Sequence, residues 1–259
     1  MPARLATMKT FRLVLLAGVA ALAISACATN SRTNLAQTDF SGQTATQQAT
    51  ALSQLAGRYQ SNPRDKATII YYAAALRAAG QAQQATSVIE AGLALYKTDV
   101  DLKVAYAKAL SAAGRFDQAL NVIDDAIDPA SPNWNALLVK GAILDQSGRN
   151  EEARTVYQQA LLTAPNQPAL EANLGLSFAM TNDLDQAEQH LRKATKMPGA
   201  SSQIRQNLGL VIGLQGRFDE AKAIFAADLP ADQVDANMAY IRALLTQQNR
   251  WDLIKGATG

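Results

Sequence analysis

The sequence predicts an all-α chain of stacked helix–turn–helix repeats, and three observations predict it. The stretch Ala112-Ala113-Gly114-Arg115-Phe116-Asp117-Gln118-Ala119-Leu120 returns every 34 residues, its glycine as Gly80, Gly114, Gly148, Asn182 and Gly216. Five residues after each stands an alanine, Ala85, Ala119, Ala153, Ala187 and Ala221, with no slip in the spacing. Four residues before each stands a large apolar side chain, Leu76, Leu110, Leu144, Phe178 and Ile212.

Each position has a physical reason. Gly or Asn between two helical stretches supplies the left-handed residue that ends the first helix. The alanine sits where the second helix crosses the first, and a larger side chain there would overpack by about 1–3 kcal/mol. Three residues before each large apolar residue of the first helix the position is also small: Ala73, Ala107, Gly141, Gly175 and Gly209. Large residues recur on the second helix as Ile89, Ile123, Tyr157, Leu191 and Phe225, followed by small Gly92, Ala126, Ala160 and Ala194 until Asp228 breaks the pattern. A fixed period of 34 with this alternation is the signature of a tetratricopeptide-repeat (TPR) solenoid.

Repeats are expected at 66–99, 100–133, 134–167, 168–201 and 202–235, with prolines Pro129, Pro132, Pro165, Pro168 and Pro198 at their joints. An N-terminal half-repeat at 47–65 precedes them, and an atypical cap at 236–259 ends an array spanning 47–259. Trp251 reads as a plug of that cap.

Residues 1–26 read as a signal peptide. A basic, acid-free start, beginning at Met1 or Met8, leads into the apolar run Leu13 to Ile24, too short for a membrane span of about 20 residues. The run closes on Leu22-Ala23-Ile24-Ser25-Ala26-Cys27, which resembles a bacterial lipoprotein signal, and Cys27 is the only cysteine. Lipidation at Cys27 would make a stable anchor. Ala28, where Asp would favour inner-membrane retention, points to the periplasmic face of the outer membrane. Residues 27–46 then form a Ser-, Thr-, Asn- and Gln-rich tether averaging about 25 Å end to end.

The formal charge of +2 is set by Arg4, Lys9 and Arg12; the remaining 21 basic and 22 acidic residues leave −1. No basic cluster points to nucleic acid. His190, the only histidine, lies in a polar stretch and reads as a solvated surface residue. Asp124-Asp125 and Glu151-Glu152 read as solvated faces, because neighbouring helix residues point different ways. With no metal-ligand set, phosphate loop or nucleophile motif, no catalytic residue, metal, cofactor or small-molecule substrate is expected, and the chain reads as a non-enzyme.

The natural use of such a stack is to hold a protein along the faces of its first helices. In this register the groove residues are Tyr71, Lys108, Leu138, Asn173, Leu176, Asn207 and Leu210, with Ile70, Ala74, Val104 and Ala142 beside them. Asn173 and Asn207 hold one position in successive repeats. An amide there can serve a peptide backbone, and asparagine is equally a common consensus residue. Lys108 stands nearly alone, and Ile70 and Val104 occupy places where a carboxylate clamp would want cations. An apolar groove accepting a peptide or helix is expected.

Tyr72-Ala73-Ala74-Ala75-Leu76-Arg77, Gly141-Ala142-Ile143-Leu144-Asp145-Gln146, Gln206-Asn207-Leu208-Gly209-Leu210-Val211 and the segment Asp228-Leu229-Pro230-Ala231 through Asn237-Met238-Ala239-Tyr240-Ile241-Arg242 carry a closer likeness. Together they resemble the TPR lipoprotein of tight-adherence (Flp/Tad) pilus assembly, the TadD type. The resemblance implies a non-catalytic, periplasm-facing scaffold that serves pilus components such as the outer-membrane secretin. A general envelope scaffold for outer-membrane or cell-wall complexes fits the lipoprotein signal and the array equally well.

Overall fold

Twelve helices follow one another among the described residues, with no strand. The structure is a computed structural model that describes residues 45–256, with side chains for 46–247. The expected signal peptide, Cys27 and nearly all of the tether lie outside the described residues, as does the side chain of Trp251. The chain divides into two units, one ending at Pro165 and the other beginning at Asn166.

The first unit holds α1 (Ala45–Ser61) and three helix pairs: α2 (Lys66–Ala78) with α3 (Ala82–Leu95), α4 (Val100–Ala112) with α5 (Phe116–Asp124), and α6 (Trp134–Gln146) with α7 (Asn150–Thr163). The second holds α8 (Pro168–Met180) with α9 (Leu184–Lys196), α10 (Ser202–Leu214) with α11 (Phe218–Ala226), and the long α12 (Ala231–Gly256). Each first helix opens where the 34-residue period opens a repeat. Ala45 and Thr46, read from sequence as tether, form the first turn of α1, and α12 runs across the 235/236 boundary.

The helix ends explain the period. Gly80, Gly114, Gly148 and Gly216 have φ of +75°, +74°, +83° and +83°, and Asn182 takes φ +64° in the same place. The residue after each donates its N–H back to the large apolar residue of the first helix: Gln81 to Leu76 at 2.8 Å, Arg149 to Leu144 at 2.8 Å, Asp183 to Phe178 at 3.0 Å. This is the Schellman closure, which satisfies the helix's orphan carbonyls. At the other end Asp65, Asp99 and Asn133, also 34 apart, cap α2, α4 and α6 by accepting from backbone N–H groups at 2.8, 3.0 and 2.8 Å. Gln167 makes no such cap, and Pro168 at the first helical position takes its place.

Packing follows the small–large alternation. Ala85, Ala119, Ala153, Ala187 and Ala221 are fully buried, as are Ile89, Ile123, Tyr157, Leu191 and Phe225 one turn on. Each of those large side chains contributes about 1.5–3 kcal/mol by burial. In the first unit Ile69, Leu76, Ala85, Ile89 and Leu102 form one cluster, covered at its open end by Leu52 and Tyr59 of α1. Of the five large residues before the turns, only Phe178 is half-exposed, and its ring stacks on His190.

α5 and α11 stop after 9 residues. Asp128 and Leu229 each precede a proline, which disfavours helical backbone before it. The break in the pattern at Asp228 has a purpose: its carboxylate accepts two hydrogen bonds from the Arg205 guanidinium, at 2.7 and 2.6 Å. Beyond Pro230, the buried Val234, Met238 and Ile241 place α12 against α10 and α11.

The tightest joint is at Gly141. A Cβ there would lie 2.3 Å from Cε1 of Tyr157, and that buried ring cannot retreat, because its hydroxyl donates to Asp145 Oδ2 at 2.9 Å. Gly141→Ala is expected to destabilise the first unit by about 1–3 kcal/mol. Gly57→Ala, in α1 with nothing within 4 Å of the added Cβ, is expected to stabilise by about 0.5–1 kcal/mol. Thermal unfolding of the two variants beside the wild type checks both signs.

Candidate interaction surfaces

The first-helix residues singled out by register stand on α2, α4, α6, α8 and α10. In the first unit Tyr71, Lys108 and Leu138 are half-buried, while Ile70 and Val104 are buried in the core. In the second unit Asn173 and Leu176 are half-buried, and Asn207 and Leu210 are buried. The two asparagines share a register but not an environment. Asn173 Nδ2 donates to the Ala169 carbonyl of its own helix at 2.8 Å, and Asn207 Oδ1 accepts from Gln203 Nε2 at 3.2 Å. Asn173 and Leu176 therefore form the open part of this face on α8 and α10.

The second helices carry the charge. Glu188 Oε1 accepts from Arg192 Nε and Glu188 Oε2 from Arg217 Nη1, both at 2.7 Å. Arg192 Nη2 and Arg217 also reach Glu220, the former at 2.5 Å, so four side chains close a ring between α9 and α11. Burial alone would raise the Glu188 carboxyl, but hydrogen bonds from Arg217, Arg192 and Gln215 outweigh it and hold it at about 2.

Glu171 of α8 is buried, 1% exposed, and is matched by two bases from α9. Lys193 Nζ lies 2.6 Å from its Oε1 and His190 Nδ1 2.8 Å from its Oε2. His190 is therefore not the solvated residue its polar neighbours suggest. Its ring stacks on Phe178 at 5.4 Å and 6° and holds a buried carboxylate. The cluster joins α8 to α9. In the first unit the buried Tyr157 hydroxyl, pushed well above its ordinary range by burial and then by Asp145, is likewise structural.

The adjacent carboxylates diverge as helical geometry requires. Asp124 pairs with Lys140 at 2.7 Å and Asp125 with Lys103 at 2.6 Å; Glu151 pairs with Arg154 at 2.7 Å and Glu152 with Arg149 at 2.6 Å. Among the described residues no group of His, Cys, Asp or Glu side chains could hold a metal ion. Among them, too, no helix is long and apolar enough to cross a membrane.

Residues 76–140 and 144–203 match two models of the tetratricopeptide repeat. The fold is a TPR solenoid of helix pairs. Solved TPR structures superpose on it. A protein from Parabacteroides merdae is 10% identical, over 76% of this chain and 78% of its own, with a TM-score of 0.64. A thermophilic TPR protein of Thermus thermophilus is 18% identical, over 64% of this chain and 91% of its own, at 0.57. PilW, a widely conserved type IV pilus biogenesis factor, is 16% identical, over 74% of this chain and 90% of its own, at 0.57. At these identities the likeness shows the fold alone. No curated protein matches in sequence. TPR folds are typical protein-interaction scaffolds, and the faces described above suit that use.

The ring of ion pairs gives a pH signature. Because the folded Glu188 carboxyl sits at about 2, below its ordinary 4.5, its contribution is fully present above pH 4.5 and is lost as pH falls toward 2. Glu188→Gln is expected to unfold more easily than wild type at pH 7, the gap closing by about pH 2. Urea melts of both proteins at several pH values test this.

Proposed function

We propose that the protein is a non-catalytic, lipid-anchored scaffold on the periplasmic face of the outer membrane, serving assembly of an adhesive Flp/Tad pilus. Its partner in this reading is a pilus or secretion component such as the secretin. The observation that carries the reading is the segment from Asp228 to Arg242. A generic repeat does not require it, and it resembles the TadD type. In the fold this segment places Asp228 on Arg205 and seats Asn237, Met238 and Ile241 in the interior. Close kin would therefore share it for the way the fifth repeat ends as well as for a partner.

The scaffold acts by contact. Half-buried Tyr71, Lys108 and Leu138 in one unit, and Asn173 and Leu176 in the other, offer apolar surface with few charges, as docking of a helix or strand requires. PilW, which shares the fold, is itself a pilus biogenesis factor.

Deleting the gene is expected to abolish both secretin multimers in the outer membrane and surface pili. The wild-type gene should restore them and Cys27→Ala should not. Immunoblots of unheated membranes and electron microscopy read the two outcomes, and fractionation should find the Cys27→Ala protein released from membranes. Normal multimers without pili would move the protein to a later assembly step. Normal multimers and pili would leave the general envelope scaffold in its place.

A further inference from the structure

A groove of about 490 Å³ lies in the first unit between α1 and α3, floored by α2. Tyr59 and Gln60 of α1 form one wall, Gln83 and Gln84 of α3 the other, and Tyr72 rises from the floor between them. No charged side chain lines it.

The same groove recurs along the repeat register of the first unit. Two repeats on, Asp124, Lys140 and Glu152 hold the places of Ala56, Tyr72 and Gln84 and line the equivalent groove of about 420 Å³. That groove satisfies itself: Lys140 Nζ meets Asp124 Oδ1 at 2.7 Å, and Arg149 meets Glu152 at 2.6 Å. In the repeat between, Glu90 and Tyr106 hold the places of Ala56 and Tyr72, and the Tyr106 hydroxyl donates to Glu90 Oε1 at 2.5 Å. In both repeats a first-helix side chain donates to an acid of the preceding second helix. Ala56 offers no such acceptor. Among the described residues, the Tyr72 hydroxyl and the side-chain amides of Gln60, Gln83 and Gln84 have no hydrogen-bond partner. One groove of the series is thus left open, uncharged and rich in donors.

We propose that this groove binds an uncharged, proline-containing peptide in the polyproline II conformation, on a face distinct from the first-helix face assigned to the pilus partner. Tyr59 and Tyr72 lie with ring centroids 5.3 Å apart and planes tilted by 30°. Both rings line the groove and give it an aromatic surface. Polyproline II has no internal hydrogen bonds, so its carbonyls are free to accept, and aromatic-lined grooves are where such peptides dock. Prolines lie on the tyrosine pair, while the Tyr72 hydroxyl and the glutamine N–H groups donate to the peptide carbonyls. A charged anchor residue would find no counter-ion here, which selects a neutral segment.

The test is a titration of the isotope-labelled full chain, purified in detergent, followed by NMR of backbone and glutamine side-chain amides. The probes are a deca-proline peptide, a Gly-Ser decapeptide and an N-acetylglucosamine tetramer. Deca-proline is expected to shift the signals of Gln83, Gln84 and Tyr72, and the other two probes to leave them unmoved. Ala56→Glu supplies the acceptor that Glu90 and Asp124 supply elsewhere, and should weaken the response by at least about tenfold. Gln84→Ala, a change confined to an exposed side chain, should weaken it by a few-fold with the melting temperature unchanged. The proposal is overturned if deca-proline moves no groove signal or if Ala56→Glu binds as wild type does. An equal response to the Gly-Ser peptide, or a response to the sugar alone, overturns it as well.

Discussion

The structure depends on one close approach, that of the second helix of each pair to the first across an alanine. The five alanines at this crossing are fully buried. At Gly175 an added Cβ would stand 3.0 Å from the Ala187 carbonyl oxygen, so the two backbones nearly touch. Everything else in a repeat is placed by that contact: the turn must reverse the chain within a few residues, and the large side chain one turn on must fill the wedge between the helices. Volume at the crossing and volume in the wedge are therefore linked. Gly141, Gly175 and Gly209 lack a methyl where Tyr157, Leu191 and Phe225 fill the wedge, whereas Ala73 and Ala107 stand in the repeats that use Ile89 and Ile123.

Much of this was legible in the sequence, because helix crossings and left-handed turns leave fixed residue types at fixed spacing. The 34-residue recurrence locates the turn inside each helix pair and the buried alanine five residues after it. The caps Asp65, Asp99 and Asn133 carry the same period, a readable signal that the glycines and alanines overshadow. The polar architecture was not legible. His190 looks solvated among Glu188 and Gln189, but one face of α9 turns toward α8, where a buried carboxylate waits. Glu188, Arg192, Arg217 and Glu220 are spaced as ordinary surface charges, and only the distance between α9 and α11 makes them a ring. Burial periodicity reports which side of a helix faces inward; it is silent on which neighbour a long side chain reaches.

The same limit governs the interaction surface. Register put Asn173 and Asn207 in equivalent places, yet Asn173 is half-buried and Asn207 is buried. A position in a repeat specifies a direction from the helix axis, and the next element decides whether that direction leads to solvent. In the first unit the half-buried Tyr71, Lys108 and Leu138, and in the second Asn173 and Leu176, are thus the more informative residues.

The joints between neighbours also govern how the chain comes to be folded. Within each unit, helices pack on the next or next-but-one in sequence, so few stabilising contacts wait for a distant part of the chain. Closing such short loops costs little entropy, and topologies of this kind fold quickly. A helix pair gains its partners as soon as the following one or two helices exist, and partial arrays are stable in proportion to their length. The repeat thus supplies a folding order as well as a surface.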